Sequence, residues 1–241
     1  MLRKKGSDMT REERQLREAI IAKCRWMNAS GLNQGTSGNI STRYEDRMLI
    51  TPSATPYDAM KPEMIASMPL EGAYGEWDGP LQPSTEWRFH LDIMRARPDV
   101  GGIVHTHSTY ATAWAQAGRD IPIYGTTHAD HNTVDIPCAP PMNDEMILGD
   151  YEYQTGFQIM NAFRDRGLSY EEVEMVLVGN HAPFSWGKTP EKAVYNSAVL
   201  ESVAQMAYLT EQIKTDALRL KDSLIKKHYE RKHGPNSYYG Q

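Results

Sequence analysis

A short apolar run that ends in two histidines constrains this sequence more than any other feature. Gly101–Val104 has the character of a buried strand, and His105 and His107 follow it with one residue between them. In an extended strand, side chains two positions apart point to the same face, so both imidazoles can face one ion. The alternative is a strand end at which each ring bonds only backbone or water. Because a zinc site needs three or four ligands, the pair forms a metal site only if other segments complete it.

Two other segments can supply ligands. The apolar run Met175–Val178 predicts a second buried strand, and His181 lies just past its end. A capped helix is predicted from Glu86 to about Met94, with Ser84–Thr85 immediately before it. Glu86 and His90 then share a helix face. The alternative for this pair is an acid favoured by the helix dipole and a histidine packed against the core.

Two turns rich in small and hydroxyl-bearing residues precede this helix. Gly35–Ser41 has the composition of an anion-binding nest, in which backbone N–H groups approach a ligand closely. It lacks the ending of a Walker loop, and the alternative is a plain Gly/Ser turn. Pro52–Pro56 is a second such turn, after a predicted strand at Met48–Thr51. Farther along, Thr126–His131 is a polar cluster without helical periodicity, which indicates either a site loop or a solvated loop.

Helical spacing and terminal signals predict further helices. Thr10–Glu13 has the form of a capping box, before a helix that Gly31 ends. The others are Thr109–Ala117, about Glu145–Arg166, and Thr189 to about Lys214. The dense Gly and Pro residues from Pro69 to Pro83 indicate hairpin and loop, and Lys226–His233 is a basic run.

The composition is that of an ordinary soluble globule. With 241 residues and no evident linker, the chain is expected to form one domain. A net charge of -5 does not favour a nucleic-acid surface, and there is no apolar run long enough for a membrane span. The basic start lacks the apolar core of a signal sequence, so we expect a cytoplasmic protein. Cys24 and Cys138 lie far apart, which indicates neither a disulfide framework nor a thiolate metal site.

Together these segments resemble the class II aldolase/adducin family over nearly the whole chain, and the resemblance divides by region. The segments similar to the L-fuculose-1-phosphate aldolases of that family are Gly31–Ser41, Leu49–Ser53 and Ser84–His90. The segments similar to its L-ribulose-5-phosphate 4-epimerases are Gly101–Ser108, Ala113–Gly118, Gly125–Asp130, Phe184–Lys188 and Arg231–Gln241.

The resemblance implies a role for particular residues. It implies one divalent metal per subunit, usually zinc, bound by His105, His107 and His181. Glu86 matches an acid beside the metal that serves as acid/base or ligand in the aldolases. The residues that match the substrate and phosphate pocket are Asn39, Ser53, Ser84, Thr85, His228 and Arg231. In the epimerases, a loop aspartate and a C-terminal tyrosine of the neighbouring subunit act as acid and base, and they match Asp130 and Tyr239.

Four positions depart from the family pattern. Glu86 stands where the epimerases have Asp, and Thr51 stands where they have Lys. Ala54 and Ala182 replace residues that are usually Gly. The first two departures favour the aldolase.

Both reactions that the resemblance implies begin with retro-aldol cleavage of a ketose phosphate. An epimerase then turns the aldehyde fragment over and rejoins it, and this needs a proton donor and an acceptor on opposite faces. Because the tail carries the residues for that step, we expect an L-ribulose-5-phosphate 4-epimerase, with an L-fuculose-1-phosphate-type aldolase as the alternative. A non-catalytic adducin-like scaffold is a third reading, but a scaffold needs no metal ligands.

The family also implies an architecture. We expect one α/β domain over residues 1–241, with a central, mainly antiparallel sheet flanked by helices. The precedent is a homotetramer with active sites at its subunit interfaces, in which residues 226–241 reach a neighbouring subunit.

Overall fold

A computed structural model describes residues 9–235 and 237–238 of the chain. Tyr239, a predicted catalytic residue, lies outside the described residues. The elements follow one another in this order: α1 (Arg11–Ala29), β1 (Asn39–Tyr44), β2 (Arg47–Ile50), β3 (Ala66–Pro69), α2 (Trp87–Ala96), β4 (Gly102–His105), α3 (Thr109–Gln116), α4 (Thr126–Ala129), β5 (Cys138–Ala139), α5 (Asp144–Leu148), α6 (Tyr151–Arg166), β6 (Met175–Val178), β7 (Pro183–Gly187), α7 (Pro190–Ile213) and α8 (Asp222–His233).

The described strands form one sheet in the order β3-β2-β1-β4-β7-β6-β5. Neighbouring strands run antiparallel, except that β5 and β6 are parallel. The strand that carries the predicted metal ligands, β4, lies in the middle, where Ile103 pairs with Ser41 of β1 and with Trp186 of β7. The predicted fold class, α/β with a mainly antiparallel sheet flanked by helices, is confirmed.

Both faces of the sheet are covered. Successive side chains of a strand point to opposite faces, and in β4 Ile103 packs with α2 and α6 whereas Val104 packs with α1 and α7. Farther along the second face, α3 and α7 pack on β6. Because both faces of β4 are buried, the strand is apolar throughout rather than alternating. This burial gives the end of β4 a well-determined position.

Two glycines allow α7 to cross closely over β4. A Cβ atom on Gly102 would lie 2.4 Å from the Cα of Pro190, and one on Gly101 would lie 2.1 Å from the carbonyl oxygen of Lys188. Thr189 caps α7 by accepting a hydrogen bond from the N–H of Lys192. Among the described helices, none combines the length and the apolarity that a membrane span requires.

Several predicted elements are confirmed and others differ. The capped helix after Thr10, the Ala-rich helix α3 and the long helix α7 form as predicted. The predicted helix at 145–166 is two helices, because the chain turns at Gly149. The polar cluster at 126–131 contains the short helix α4, and the basic run lies within α8, whose buried residue is Ile225.

β1 was not predicted as a strand because most of its residues are polar and do not form an apolar run. In the structure these residues bond inside the protein: the hydroxyl of Ser41 lies 2.7 Å from His90 Nδ1, and that of Thr42 donates to the carbonyl of Gly101. The strand therefore buries hydroxyls without leaving them unpaired.

Candidate metal centre and substrate pocket

Three histidine rings meet at one end of the sheet. His105 is the last residue of β4, His107 follows it outside the strand, and His181 lies in the turn between β6 and β7. Their ring centroids are 4.8 Å (105 to 107), 4.9 Å (105 to 181) and 5.4 Å (107 to 181) apart. One ring nitrogen from each lies within 4.8 Å of the other two, which is a spacing that suits a single ion. The strand thus ends at His105, and the ring of His107, two residues beyond, still converges with the other two.

The orientation of His105 is set by the neighbouring strand. Its Nδ1 lies 3.0 Å from the carbonyl oxygen of Pro183. Since a carbonyl only accepts, this contact assigns the proton to Nδ1 and leaves the lone pair on Nε2. Burial lowers the pKa of His105 to about 3, so the ring is neutral at physiological pH. A neutral imidazole with an anchored Nδ1–H is the form that binds metals.

Glu86 completes the cluster. It precedes the first turn of α2, but its side chain does not cap that helix. The carboxylate instead lies with Oε2 3.4 Å from His105 Nε2 and Oε1 3.2 Å from His181 Nε2. Asn39 Nδ2 donates to Oε2 at 2.7 Å. The predicted cap by Ser84 or Thr85 is therefore not formed, because the helix begins later and Glu86 faces the histidines.

The charges of this cluster suit a divalent cation. Burial alone would raise the pKa of Glu86, but positive charge at His105 and His181 and the hydrogen bond from Asn39 lower it, so the carboxylate is ionised when a proton or a cation lies at the histidines. Its Oε2 faces the lone pair of His105 Nε2. Two acceptors this close are stable only with a proton or a cation beside them. The residues thus fit a metal ion bound by the three histidines, with Glu86 beside it or bound to it.

A cavity of about 310 Å³ opens onto the cluster. Its lining brings the predicted phosphate residues Asn39, Ser53, Ser84 and Thr85 together with the metal centre. The backbone N–H groups of Ser53 and Ser84 already donate to Gln82 and Thr51. Of the backbone N–H groups and hydroxyls expected to bind phosphate at these two positions, the hydroxyls therefore remain the candidate donors.

Other residues of the lining were not predicted individually. Tyr151 and Thr155 of α6 lie four residues apart on one face of the helix and reach the cavity. Thr36 and Ser37 also line it, within the segment 35–41 for which the sequence offered an anion-binding nest or a plain turn. The sequence indicates that Tyr151 and Thr155 share a helix face, but nothing in it places that helix beside the cavity. Ala54 also lines it with a φ of 50°, which lies in the left-handed region and accounts for the glycine usual there.

Asp130 lies outside the cavity that contains the three histidines and Glu86. It follows α4 and binds the tail helix α8, with His228 Nδ1 3.0 Å from Oδ1 and Arg231 Nη2 3.0 and 3.1 Å from the two oxygens. Burial would raise the pKa of Asp130, but these two partners lower it. Asp130, His228 and Arg231 are not part of the cavity lining. Their roles at an active site stay a prediction, which requires a second subunit.

A partly buried carboxylate among three histidines at the end of this sheet defines an α/β protein with a candidate metal centre, and sequence comparison assigns the chain to a family. The chain belongs to the class II aldolase and adducin family, because residues 18–208 match the family described as the class II aldolase and adducin N-terminal domain. Family membership supports an enzyme of the class II aldolase type, and the histidine cluster supports a divalent metal.

Solved structures share the fold. An L-fuculose 1-phosphate aldolase is similar with a TM-score of 0.75 and 22% identity, over 94% of this chain and 99% of that one. YgbL from Escherichia coli, considered as an aldolase, epimerase or decarboxylase, gives a TM-score of 0.72 and 22% identity over 91% and 100%. The L-fuculose-1-phosphate aldolase of Thermus thermophilus gives 0.66 and 21% over 84% and 98%. At this level of identity the similarity shows a common fold.

Proposed function

We propose that this protein is a metal-dependent enzyme that cleaves the bond between the α and β carbons of a small phosphorylated ketose, one carbon removed from the carbonyl. One observation carries the proposal. The Glu86 carboxylate lies 3.2 and 3.4 Å from two histidine nitrogens, in the same cavity as the hydroxyls of Ser53, Ser84 and Thr85. A cavity of about 310 Å³ accommodates a molecule of this size.

Two groups of residues in the cavity bind different parts of the substrate. His105, His107 and His181 would hold a divalent ion, with zinc as the first candidate, and a bound ion would supply Lewis-acid stabilisation for negative charge that develops on the substrate oxygens. The hydroxyls at the other end bind the phosphate without a lysine, which is how an acidic protein can hold an anion. The two recognition elements thus bind opposite ends of one substrate.

Glu86 is placed to move the proton. It is ionised when a cation lies at the histidines, and Asn39 Nδ2 fixes one of its oxygens at 2.7 Å. A carboxylate held in this way accepts a proton from a substrate hydroxyl during bond cleavage and returns it during bond formation. We assign Glu86 this acid/base role, and a role as metal ligand is compatible with its position.

For the overall reaction we propose 4-epimerisation of L-ribulose 5-phosphate, in a homotetramer whose active sites lie at subunit interfaces. The support is the tail, whose sequence resembles that of the epimerases, and the polar group Asp130, Arg231 and His228. Asp130 and Tyr239 of a neighbouring subunit would then act on opposite faces of the aldehyde. The second candidate is an L-fuculose-1-phosphate-type aldolase, which the position of Glu86 at the metal centre favours.

Product analysis separates the candidates. Metal-loaded protein given L-ribulose 5-phosphate should yield D-xylulose 5-phosphate, observed by NMR as a second ketose phosphate. Release of dihydroxyacetone phosphate and lactaldehyde from L-fuculose 1-phosphate, with the pentose untouched, would favour the aldolase instead. Replacing Tyr239 by Phe should suppress epimerisation more than bond cleavage. Equal loss of both activities would contradict its assignment as a donor to one face.

A further inference from the structure

Asn33 contacts three separate segments around the cavity from a buried position. The residue is 3% exposed, and its backbone N–H donates to Met27 at the end of α1. Its Oδ1 accepts from the hydroxyl of Ser37 at 3.1 Å and from the backbone N–H of His107 at 3.4 Å. Its Nδ2 donates to the phenol oxygen of Tyr57 at 3.0 Å. One amide therefore uses both its donor and its acceptor side.

These contacts join a loop of the cavity lining to the backbone of a candidate metal ligand. Ser37 and Gly38 belong to the loop 34–38, part of which lines the cavity, and His107 is one of the metal-binding histidines. Tyr57 closes the network, because its phenol donates to the carbonyl of Gly38 at 2.5 Å. A shift of the loop 34–38 is thus passed through the Asn33 side chain to the backbone that carries His107.

Close packing makes this connection stiff. A Cβ atom on Gly38 would lie 2.7 Å from Asn33 Nδ2 and 2.7 Å from the carbonyl oxygen of His105. The loop backbone therefore lies directly on Asn33 and on the end of β4, with no room for a side chain between them. Neighbours packed this tightly move together.

We infer that Asn33 is a positioning residue that couples anion binding in the cavity, against the loop 34–38, to metal binding at His107. An anion that orders the loop fixes Ser37 and, through Asn33, the backbone N–H of His107, so the metal binds more tightly. Such coupling is reciprocal, and the metal must strengthen anion binding by the same factor. The inference rests on the proposed function only for the identity of the two binding ends.

The test measures the dissociation constant of Co²⁺, followed by its visible absorption, with and without saturating inorganic phosphate. In the wild-type protein, phosphate should tighten Co²⁺ binding by about fivefold or more, the lower end of typical coupling. In Asn33→Leu, which keeps the size of the side chain but removes its hydrogen bonds, the ratio should fall to about one. An unchanged ratio in Asn33→Leu would overturn the inference, since the anion would then act on the metal directly.

The chain offers a matched control. Asn28 Nδ2 donates to the carbonyl of Gly35 in the same loop at 3.0 Å, and Asn28 has no hydrogen bond to His107 among the described contacts. Asn28→Ala should therefore keep the wild-type ratio, and loss of the ratio in this variant would show that loop order alone is responsible. If Asn33→Leu fails to fold, Ser37→Ala removes the loop end of the bridge and should reduce the ratio by at least half. Retention of the full ratio in Ser37→Ala would overturn the inference.

Failure of the inference and failure of the proposed function give different results. Coupling lost in Asn33→Leu but no turnover of either sugar phosphate by the wild type would reject the proposed reaction and keep the inference. Turnover of a sugar phosphate without any effect of phosphate on Co²⁺ binding would reject the inference and keep the proposed reaction.

Discussion

Glu86 and Asp130, the two carboxylates assigned to catalysis, have equally exposed side chains, at 14% each, but very different partners. Asp130 binds the guanidinium of Arg231, which is charged at every physiological pH, so the chain itself neutralises it. Glu86 binds an amide and faces imidazoles, of which His105 is neutral in this range. The comparison shows that exposed side-chain area alone does not distinguish the two sites. The Asp130 cluster is complete within one chain, whereas the Glu86 cluster is complete only with a cation.

The largest expected effect is that of Glu86→Gln. The amide keeps the size of the side chain but loses the charge and the proton acceptor, so turnover should fall by roughly 10³-fold, as for loss of a general acid/base. Metal affinity should fall by about 10- to 100-fold, the effect typical of a partner removed from a metal site. Steady-state kinetics and metal titration measure the two quantities. Unchanged metal affinity would show that the Glu86 charge does not serve the ion.

A smaller effect is expected for Asp130→Asn. If Asp130 acts at a neighbouring active site, turnover should fall by roughly 10²-fold while metal affinity stays at the wild-type value. Loss of the ion pair should lower the free energy of unfolding by only about 1 kcal/mol, because the pair is near the surface. Arg219→Gln, which breaks the nearby pair with Asp135, is the matched control and should leave turnover unchanged. Wild-type turnover in Asp130→Asn would remove the residue from catalysis.

The sequence predicted the convergence of the three histidines better than it predicted the Asp130 cluster. Strand-end histidines can be found from a local pattern, since the apolar runs of β4 and β6 place His105 and His181 at the end of a buried sheet. The pairing of Asp130 with Arg231 joins positions 101 residues apart through α8, a helix with little apolar periodicity. No local rule indicates such a contact.

Contacts between elements account for what else was missed. Asn33 and Tyr151 carry no chemical signal of their own. Only the packing of α6 brings Tyr151 to the cavity, and only the fold of loop 34–38 brings Asn33 against the lining residue Ser37. β7 was missed although it directly follows His181, because Pro183 and Gly187 at its ends give the segment the appearance of a turn. Every residue of β7 is buried. Packing in the core therefore stabilises the strand, although its sequence has little local preference for strand structure.

The smallest expected effect concerns His90, which lies behind Glu86 and is fully buried, with Nδ1 against the hydroxyl of Ser41. Burial lowers the pKa of His90 from 6.5 to about 4, although the charge of Glu86 opposes this. Between these values the unfolded chain binds a proton that the folded protein does not, so acidification favours unfolding. The stability is present above pH 6.5 and is lost as the pH falls towards 4. At pH 5 this residue alone should cost the metal-free protein roughly 2 kcal/mol of unfolding free energy.

Denaturant unfolding of the metal-free protein at several pH values tests this expectation, because the slope against pH counts protons whatever the absolute stability. His90→Gln should reduce the slope between pH 6.5 and 4 by about one proton, or roughly 1.4 kcal/mol per pH unit. His233→Gln, at an exposed position of α8, is the control and should leave the slope unchanged. The same slope in His90→Gln as in the wild type would mean that the acid sensitivity comes from other histidines. In that case the core behind Glu86 tolerates a charge, and burial of His90 is not what keeps this side of the metal centre neutral.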